Sequence, residues 1–131
     1  MALDLNNLSP EVNSFLTDRH LASLTLLRLD GSPHVTPIGF TWDPEQHLAR
    51  IITWKTSVKS KILFSSGGGT ASICQIDGGR WLTLEGHAIV SDDPMRCFEG
   101  TKRYAERYRE PKDRSDRTVI EVTVSNILGR A

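Results

Sequence analysis

The chain has 131 residues, of which 38% are hydrophobic and 24% are charged, and this length suits one globular domain, residues 1–131. Its 16 lysines and arginines equal its 16 aspartates and glutamates. This balance argues against a nucleic-acid-binding protein and a polybasic membrane-binding protein, although it leaves room for a local basic patch. No apolar run is long enough for a membrane span, and the N-terminal residues lack the pattern of a signal peptide.

The cysteines and histidines give no sign of a metal site. Cys74 and Cys97 lie far apart and form no Cys-x-x-Cys motif, and the four histidines have no metal-ligand spacing. Two isolated cysteines are typical of reduced thiols. We therefore expect a cytoplasmic protein without a bound metal.

The first predicted element is a short helix, followed by a strand and a hairpin turn. Ser9 can cap a helix from Pro10 to about Arg19, because proline suits the first helical position. The apolar stretch Leu21–Leu29 predicts a strand. Asp30-Gly31 is the strongest hairpin signal in the sequence.

The second predicted strand, His34–Trp42, contains a proline in its interior. Pro37 has no N–H group and cannot donate a hydrogen bond to a sheet ladder. We therefore expect this strand to be bent, bulged or at a sheet edge near its middle. Gly39 allows close approach of the backbone at that point, and strands of this kind often line a ligand.

The rest of the chain continues with strands, polar turns and two more helices. In total six strands and three helices are predicted, and the strands are mostly joined by hairpins. This pattern predicts a mainly β protein, a six-stranded antiparallel Greek-key or split β-barrel with peripheral helices. The remaining elements are strands at His47–Thr53, Thr70–Ile76, Trp81–Ser91 and Arg117–Val124, and helices at Val58–Phe64 and from Pro94 to about Arg109.

The stretch Ala49–Ile62 has the features of a phosphate site. A strand gives way there to a polar turn and then to a helix that Ser57 can cap. The first N–H groups of a helix have no internal partners and attract anions, and Lys59 adds a positive charge in the first turn. From spacing alone, a phosphate site and an ordinary solvated helix face are about equally supported.

A second group of charges lies between Lys102 and Arg117, where basic residues outnumber acidic ones. A solvated helix is the default explanation of this group. The more specific interpretation is the rim of a site that receives the acidic tail of a ligand.

A family resemblance rests on five segments in order, which are RHLASLTLLRLDGSPHVTPIGFTWDPEQHLARIIT, SVKSK, DGGRWLTLEGHAIVSDD, RYAERYREP and RTVIEV. These segments resemble the FMN-binding split-barrel superfamily that includes the pyridoxamine phosphate oxidases. Within it the chain is most similar to the actinobacterial flavin/deazaflavin oxidoreductases that use coenzyme F420, and among those to the biliverdin reductase-like group. The resemblance covers about Leu8 to Val124.

The resemblance implies a homodimer of split barrels with two cofactor sites at the subunit interface. It places the deazaflavin ring along the segment Val35–Ile38, and the phosphate at the strand end Ile51–Thr53 and the following helix start. Gln75 and Trp81 match positions beside the ring or the substrate. Relatives carry arginine where this chain has Ser57, so the phosphate clamp is either weaker or completed by Lys55 or Lys61. The implied cofactor-binding residues are Val35, Thr36, Pro37, Ile38, Ile51, Ile52, Thr53, Ser57, Lys59, Gln75 and Trp81.

The function implied is an F420H2-dependent reductase that transfers a hydride to a conjugated, electron-poor acceptor, such as a biliverdin-like tetrapyrrole, an enone or a lactone. The alternatives are an FMN-binding oxidoreductase of the same fold and a non-enzymatic F420 or tetrapyrrole carrier. No nucleic-acid or membrane partner is expected. His34 and Arg80 are the first candidates for a proton donor, because they flank the segments implied to line the ring.

Overall fold

The computed structural model describes residues 2–131 and contains seven strands and three helices. The strands are β1 (Ala22–Leu27), β2 (Pro33–Ile38), β3 (Phe40–Asp43), β4 (Leu48–Trp54), β5 (Gly69–Asp77), β6 (Arg80–Ser91) and β7 (Arg117–Arg130). The helices are α1 (Pro10–Thr17), α2 (Val58–Ser66) and α3 (Pro94–Arg107). All strands belong to one antiparallel sheet in the order β2-β1-β5-β6-β7-β4-β3. None of the three helices is long and apolar enough to cross a membrane.

The predicted mainly β split barrel is confirmed, with seven strands instead of six. The predicted strand His34–Trp42 is in fact two strands, β2 and β3, with Gly39 between them. Within residues 2–131, β2 pairs only with β1 and β3 pairs only with β4, so the two halves lie at opposite edges of the sheet. Because they are joined through one residue, the two edges are held side by side and the sheet curls into a barrel that stays open between them.

The helix starts follow from their capping residues. The side chain of Ser57 accepts a hydrogen bond from the backbone N–H of Ser60, and Asp93 does the same for Arg96. Ser9 caps α1 in the same way. The helix α2 ends at Gly67, whose φ of 73° is the left-handed conformation that glycine adopts without strain.

The last strand is longer than predicted, since β7 continues to Arg130 and not to Val124. Its second half pairs with β6 after a register shift between Glu85 and Gly86. Ser125 is the extra residue on β7, and a bulge of this kind bends the strand. The predicted strand ends at Val124, directly before this bulge.

The core fills the inside of the barrel. Phe15 of α1 and Phe40 of β3 are fully buried, and burial of one such side chain stabilises the fold by roughly 1.5–3 kcal/mol. The other large side chains of the core are Leu24, Leu26, Ile51, Ile73, Leu82, Leu84, Ile120 and Ile127.

Arg107, the last residue of α3, forms hydrogen bonds that link separate parts of the barrel close to the bend at Gly39. The guanidinium of Arg107 donates to the backbone carbonyls of Phe40 at 2.7 Å and Asp18 at 2.8 Å. It also donates to the side-chain oxygen of Gln75 at 2.7 Å and to the carbonyl of Phe15 at 3.3 Å. No carboxylate lies within ion-pair distance of Arg107 among the residues described, and burial lowers its pKa below the usual value. Neutral acceptors therefore solvate this charge.

The bend at Gly39 packs tightly against two tyrosine rings. Tyr104 belongs to α3, and Tyr108 is the residue directly after this helix. A Cβ atom on Gly39 would lie 3.0 Å from Cζ of Tyr108 and 3.4 Å from Cε2 of Tyr104. The Tyr108 hydroxyl lies 2.8 Å from the backbone carbonyls of both Phe40 and His20. Only glycine leaves room for this approach of α3.

We expect Gly39→Val to lower the free energy of unfolding by about 1–3 kcal/mol, because the new side chain displaces the tyrosine rings. Gly69→Val is the matched control, since no atom lies within 4 Å of a Cβ at that strand position. Its effect should stay within about 0.5 kcal/mol. Urea unfolding measures both values, and equal losses in the two variants would contradict the packing described for the bend.

We expect Arg107→Met to destabilise the protein by about 3 kcal/mol, because it leaves several buried oxygens without a hydrogen-bond donor. Arg107→Lys should recover only part of this loss, since an ammonium lacks the planar fork that reaches several acceptors. Lys102→Met, on an exposed position of the same helix, should change the stability by less than about 0.5 kcal/mol. Thermal unfolding of the three variants tests this ranking, and a loss of similar size in Lys102→Met would refute it.

Candidate functional site

A cleft opens where the two edges of the sheet separate. The ladder between β3 and β4 ends at the pair Phe40–Ile51, and the ladder between β1 and β2 ends at Ala22–Ile38. The strand β4 continues to Trp54 and is paired there with β7 alone, within the part of the chain that the structure describes. The end of β4 therefore keeps one backbone edge free beside β2. The space between them has a volume of about 590 Å³.

Seven of the eleven predicted cofactor-binding residues line this cleft. The segment Thr36–Ile38 forms one wall and Ile51–Thr53 forms the other, with Lys59 of α2 beside them. The sequence segments that the family resemblance brought together are thus close in space. The hydroxyl oxygen of Thr53 is buried and has no hydrogen-bond partner among residues 2–131.

The other four predicted residues do not line the cleft of this chain. Ser57 is buried and caps α2, and Gln75 is fully buried with its amide nitrogen donating to the carbonyl of Phe15. Val35 is 59% exposed and Trp81 is 37% exposed. The roles assigned to these four residues stay predictions.

The two candidate proton donors also lie outside the cleft lining. Arg80 forms an ion pair with Asp77 and stacks over the ring of Phe15 at 4.5 Å. One ring nitrogen of His34 lies 3.4 Å from the guanidinium of Arg28. Burial lowers the pKa of His34, and the positive charges of Arg28 and Lys59 lower it further.

Lys59 is a half-buried cation without an acidic partner. Its ammonium lies 5.9 Å from the ring centre of Trp54, and no carboxylate lies within ion-pair distance in residues 2–131. Burial lowers the pKa of Lys59. The first turn of α2 adds free backbone N–H groups at the same place. This combination favours an anion, because an anion would neutralise a charge that is partly removed from water.

The loop between α3 and β7 adds basic residues to the cleft. Arg114 stacks over the ring of Trp54 at 4.8 Å and pairs with Asp116, and Arg117 donates to the carbonyl of Thr53 at 3.3 Å. Glu110 is the one acidic residue among the lining residues described. The basic residues of this rim are Arg109, Lys112, Arg114 and Arg117.

Lys55 and Lys61, the predicted substitutes for an arginine at position 57, do not line the cleft. Lys61 borders a separate groove beside the β1–β2 turn, together with Arg28 and Ile62. The arginines that the cleft does contain come from the loop before β7 and from its first residue, Arg117.

Two aromatic residues of the cleft, Trp54 and Tyr104, were not predicted. Trp54 directly follows the predicted segment Ile51–Thr53, so extension of that segment by one residue would have included it. Tyr104 is distant in sequence from the lining residues of β2, β4 and α2, and the packing of α3 against the bend brings it to them.

Comparison with known proteins identifies the relatives of this fold. The family model described as pyridoxamine 5'-phosphate oxidase matches residues 8–130. A protein from Mycobacterium tuberculosis named F420H2-dependent biliverdin reductase is 47% identical over 124 residues, which cover 95% of this chain and 89% of the relative.

Solved structures agree on the fold. A conserved hypothetical protein from Mycobacterium tuberculosis superimposes with a TM-score of 0.77 at 19% identity, covering 95% of this chain and 85% of its own. A protein named F420 reductase gives a TM-score of 0.68 at 23% identity, covering 88% of this chain and 94% of its own. The predicted family is confirmed: the chain belongs to the pyridoxamine 5'-phosphate oxidase family.

Proposed function

We propose that this protein is an F420H2-dependent reductase acting on a conjugated, electron-poor acceptor such as a biliverdin-like tetrapyrrole. The relative with 47% identity carries that activity in its name, and the enzyme class agrees with the one predicted from the sequence. When bound, the reduced deazaflavin supplies a hydride, and the protein supplies binding, orientation and exclusion of water. Two free cysteines suit the reducing cytoplasm, where we place the enzyme.

The observation that carries this proposal is the unpaired charge of Lys59 at the start of α2. A phosphate there would accept hydrogen bonds from the ammonium and from the backbone N–H groups of the first helical turn. Thr53 would offer its unpartnered hydroxyl in the same region. Ser57 would act indirectly, since its cap fixes where α2 begins.

The rest of the cleft fits the remaining parts of the cofactor. The segment Thr36–Ile38 would face the ring, partly through backbone groups, because Pro37 and the bend leave this strand end unpaired on one side. The basic rim formed by the loop before β7 would receive the acidic tail. FMN ends at its phosphate and has no such tail, so the rim favours F420 over the FMN-binding alternative.

We expect Lys59→Met to weaken binding of oxidised F420 by about 10- to 100-fold, because a charge-assisted hydrogen bond contributes about 1.5–3 kcal/mol. Lys55→Met is the matched control: Lys55 is a neighbouring lysine that does not line the cleft, and its removal should change the affinity less than about twofold. Fluorescence titration of purified protein gives the three dissociation constants.

Equal affinities in Lys59→Met and the wild type would remove the phosphate assignment. Failure of the wild type to bind F420 at micromolar concentrations would remove the proposed function. A protein that is purified with a bound flavin spectrum would favour the FMN-binding oxidoreductase, and tight binding without turnover of any acceptor would favour a carrier.

We also propose that the enzyme is a homodimer with its two sites at the subunit interface. The outer face of β1, β5 and β6 carries small, mostly uncharged side chains that are only half-buried in the single chain. Depletion of charge is typical of the centre of an interface. Two cross-strand rows form this face, Pro37–Ser23–Cys74–Thr83 and Val35–Thr25–Ser72–Glu85.

This face is continuous with the cleft. Pro37 belongs to both, and Val35, which is exposed here, lies in the neighbouring row. Trp81 stands at the end of the same face, opposite Ile76. A second copy of the chain on this face would cover Val35 and Trp81 and would add a wall to the cleft, which accounts for the two predicted residues that the single chain leaves outside it.

We expect the wild type to sediment with twice the chain mass of 14.6 kDa. Ser72→Arg should yield monomers with weaker F420 binding, because it places a charge in the middle of the proposed interface. Asn13→Arg, on the exposed side of α1, should remain dimeric. Sedimentation equilibrium distinguishes these states, and a monomeric wild type would contradict the interface.

A further inference from the structure

We propose that Tyr104 donates the proton that accompanies hydride transfer in this cleft. The inference rests on the proposed reductase function. It assigns proton donation to a residue that lines the cleft, whereas the two candidates from the sequence lie outside the lining. It is supported by the place of the ring, by the free hydroxyl and by the chemistry of the neighbouring side chains.

Tyr104 lies at the end of the cleft that is remote from Lys59. Its Cε2 atom would be 3.4 Å from a Cβ on Gly39, at the C-terminal end of β2. Phe40, the residue after Gly39, pairs with Ile51 of β4, whereas the ammonium of Lys59 lies 5.9 Å from the ring centre of Trp54, three residues further along the same strand. Three residues of extended chain span roughly 10 Å, at about 3.3 Å per residue. Tyr104 therefore lies where the reacting end of a cofactor would be when its phosphate is held by Lys59.

The hydroxyl of Tyr104 is free to bind a ligand. It forms no hydrogen bond with any residue from 2 to 131, whereas the hydroxyl of Tyr108, one helical turn later, is engaged with the carbonyls of Phe40 and His20. The two rings pack at a centroid distance of 4.9 Å, which fixes the position of Tyr104. The two tyrosines thus have different roles, since Tyr108 holds the bend and Tyr104 faces the cleft.

The other titratable side chains in the cleft are less suited to give up a proton there. Arginines keep their protons in proteins, which excludes the three arginines of the rim. Glu110 is exposed beside those arginines, and its carboxylate is an acceptor. Lys59 is at the phosphate end, and Lys112 is exposed on the rim. A phenol is a known general acid.

The step balances with one proton and one hydride. The acceptor gains a C–H bond with two electrons from the reduced deazaflavin, and negative charge develops on the conjugated oxygen or nitrogen. The O–H bond of Tyr104 breaks as a new O–H or N–H bond forms on that atom. The resulting phenolate recovers a proton from water at the open side of the cleft, and the rim arginines lower the energy of the transient negative charge. The deazaflavin would release one proton to water after it has given up the hydride, which balances the proton taken from water.

The test compares the wild type, Tyr104→Phe and Thr101→Val. The control removes a hydroxyl from the same helix, where Thr101 donates to the carbonyl of Phe98 and does not line the cleft. The first measurement is the affinity for oxidised F420, which should change less than threefold in both variants. The second is single-turnover oxidation of bound F420H2 by biliverdin and by menadione, which should slow at least 20-fold in Tyr104→Phe alone.

A third measurement separates proton donation from a structural role. The rate of Tyr104→Phe should rise with the concentration of imidazolium buffer, because a small acid replaces the missing phenol, while the rates of the other two proteins stay constant. A wild-type rate in Tyr104→Phe would overturn the inference and leave the reductase function standing. A slow rate without imidazolium rescue, or a parallel loss of F420 affinity, would also overturn it. A wild type that binds F420H2 and oxidises it with neither acceptor would overturn the reductase function as well.

Discussion

At Gly39 the chain leaves one edge of the sheet and joins the other, and α3 holds it there from outside the barrel. Pro37, two residues before Gly39, has no backbone N–H to donate to the sheet. The missing side chain of Gly39 lets the tyrosine rings approach. Arg107 and Tyr108 then fix the carbonyl of Phe40, the first residue after the bend. The two sheet edges are close in space without pairing, and the cleft is the space that this arrangement leaves between them.

The electrostatics of the cleft follow from the same geometry. Lys59 lies at the start of α2, and the loop before β7 contributes further positive charge to the cleft. Among the described residues, Glu110 supplies the single carboxylate of the lining. A net charge near zero for the whole protein therefore conceals a strongly basic cleft. The ring of Trp54 lies close to both cations, at 5.9 Å from the ammonium of Lys59 and 4.8 Å from the guanidinium of Arg114. An anionic ligand relieves the mutual repulsion of these groups.

Local signals in the sequence were sufficient for the helix caps, the hairpins and the location of the bend. The interior proline and the glycine that follows predicted a bend, but they carry no information on which neighbours each half of the strand would pair with. The same limit applies to the site. Ser57 and Lys59 lie two positions apart in the chain and predicted the start of α2, whereas Tyr104 reaches the cleft only through long-range packing. The predicted end of β7 at Val124 coincides with the bulge at Ser125, beyond which the strand continues to Arg130.

The position of β2 and β3 at opposite edges also determines the order in which the barrel can form. The β1–β2 and β3–β4 hairpins are local and need only short loops to close. The ladder between β4 and β7 joins residues that are more than sixty positions apart, so it carries a large loop-closure entropy and forms late. The cleft is complete only after that ladder, because β7 supports the free end of β4. A nascent chain therefore lacks the complete cleft until β7 has been synthesised and docked.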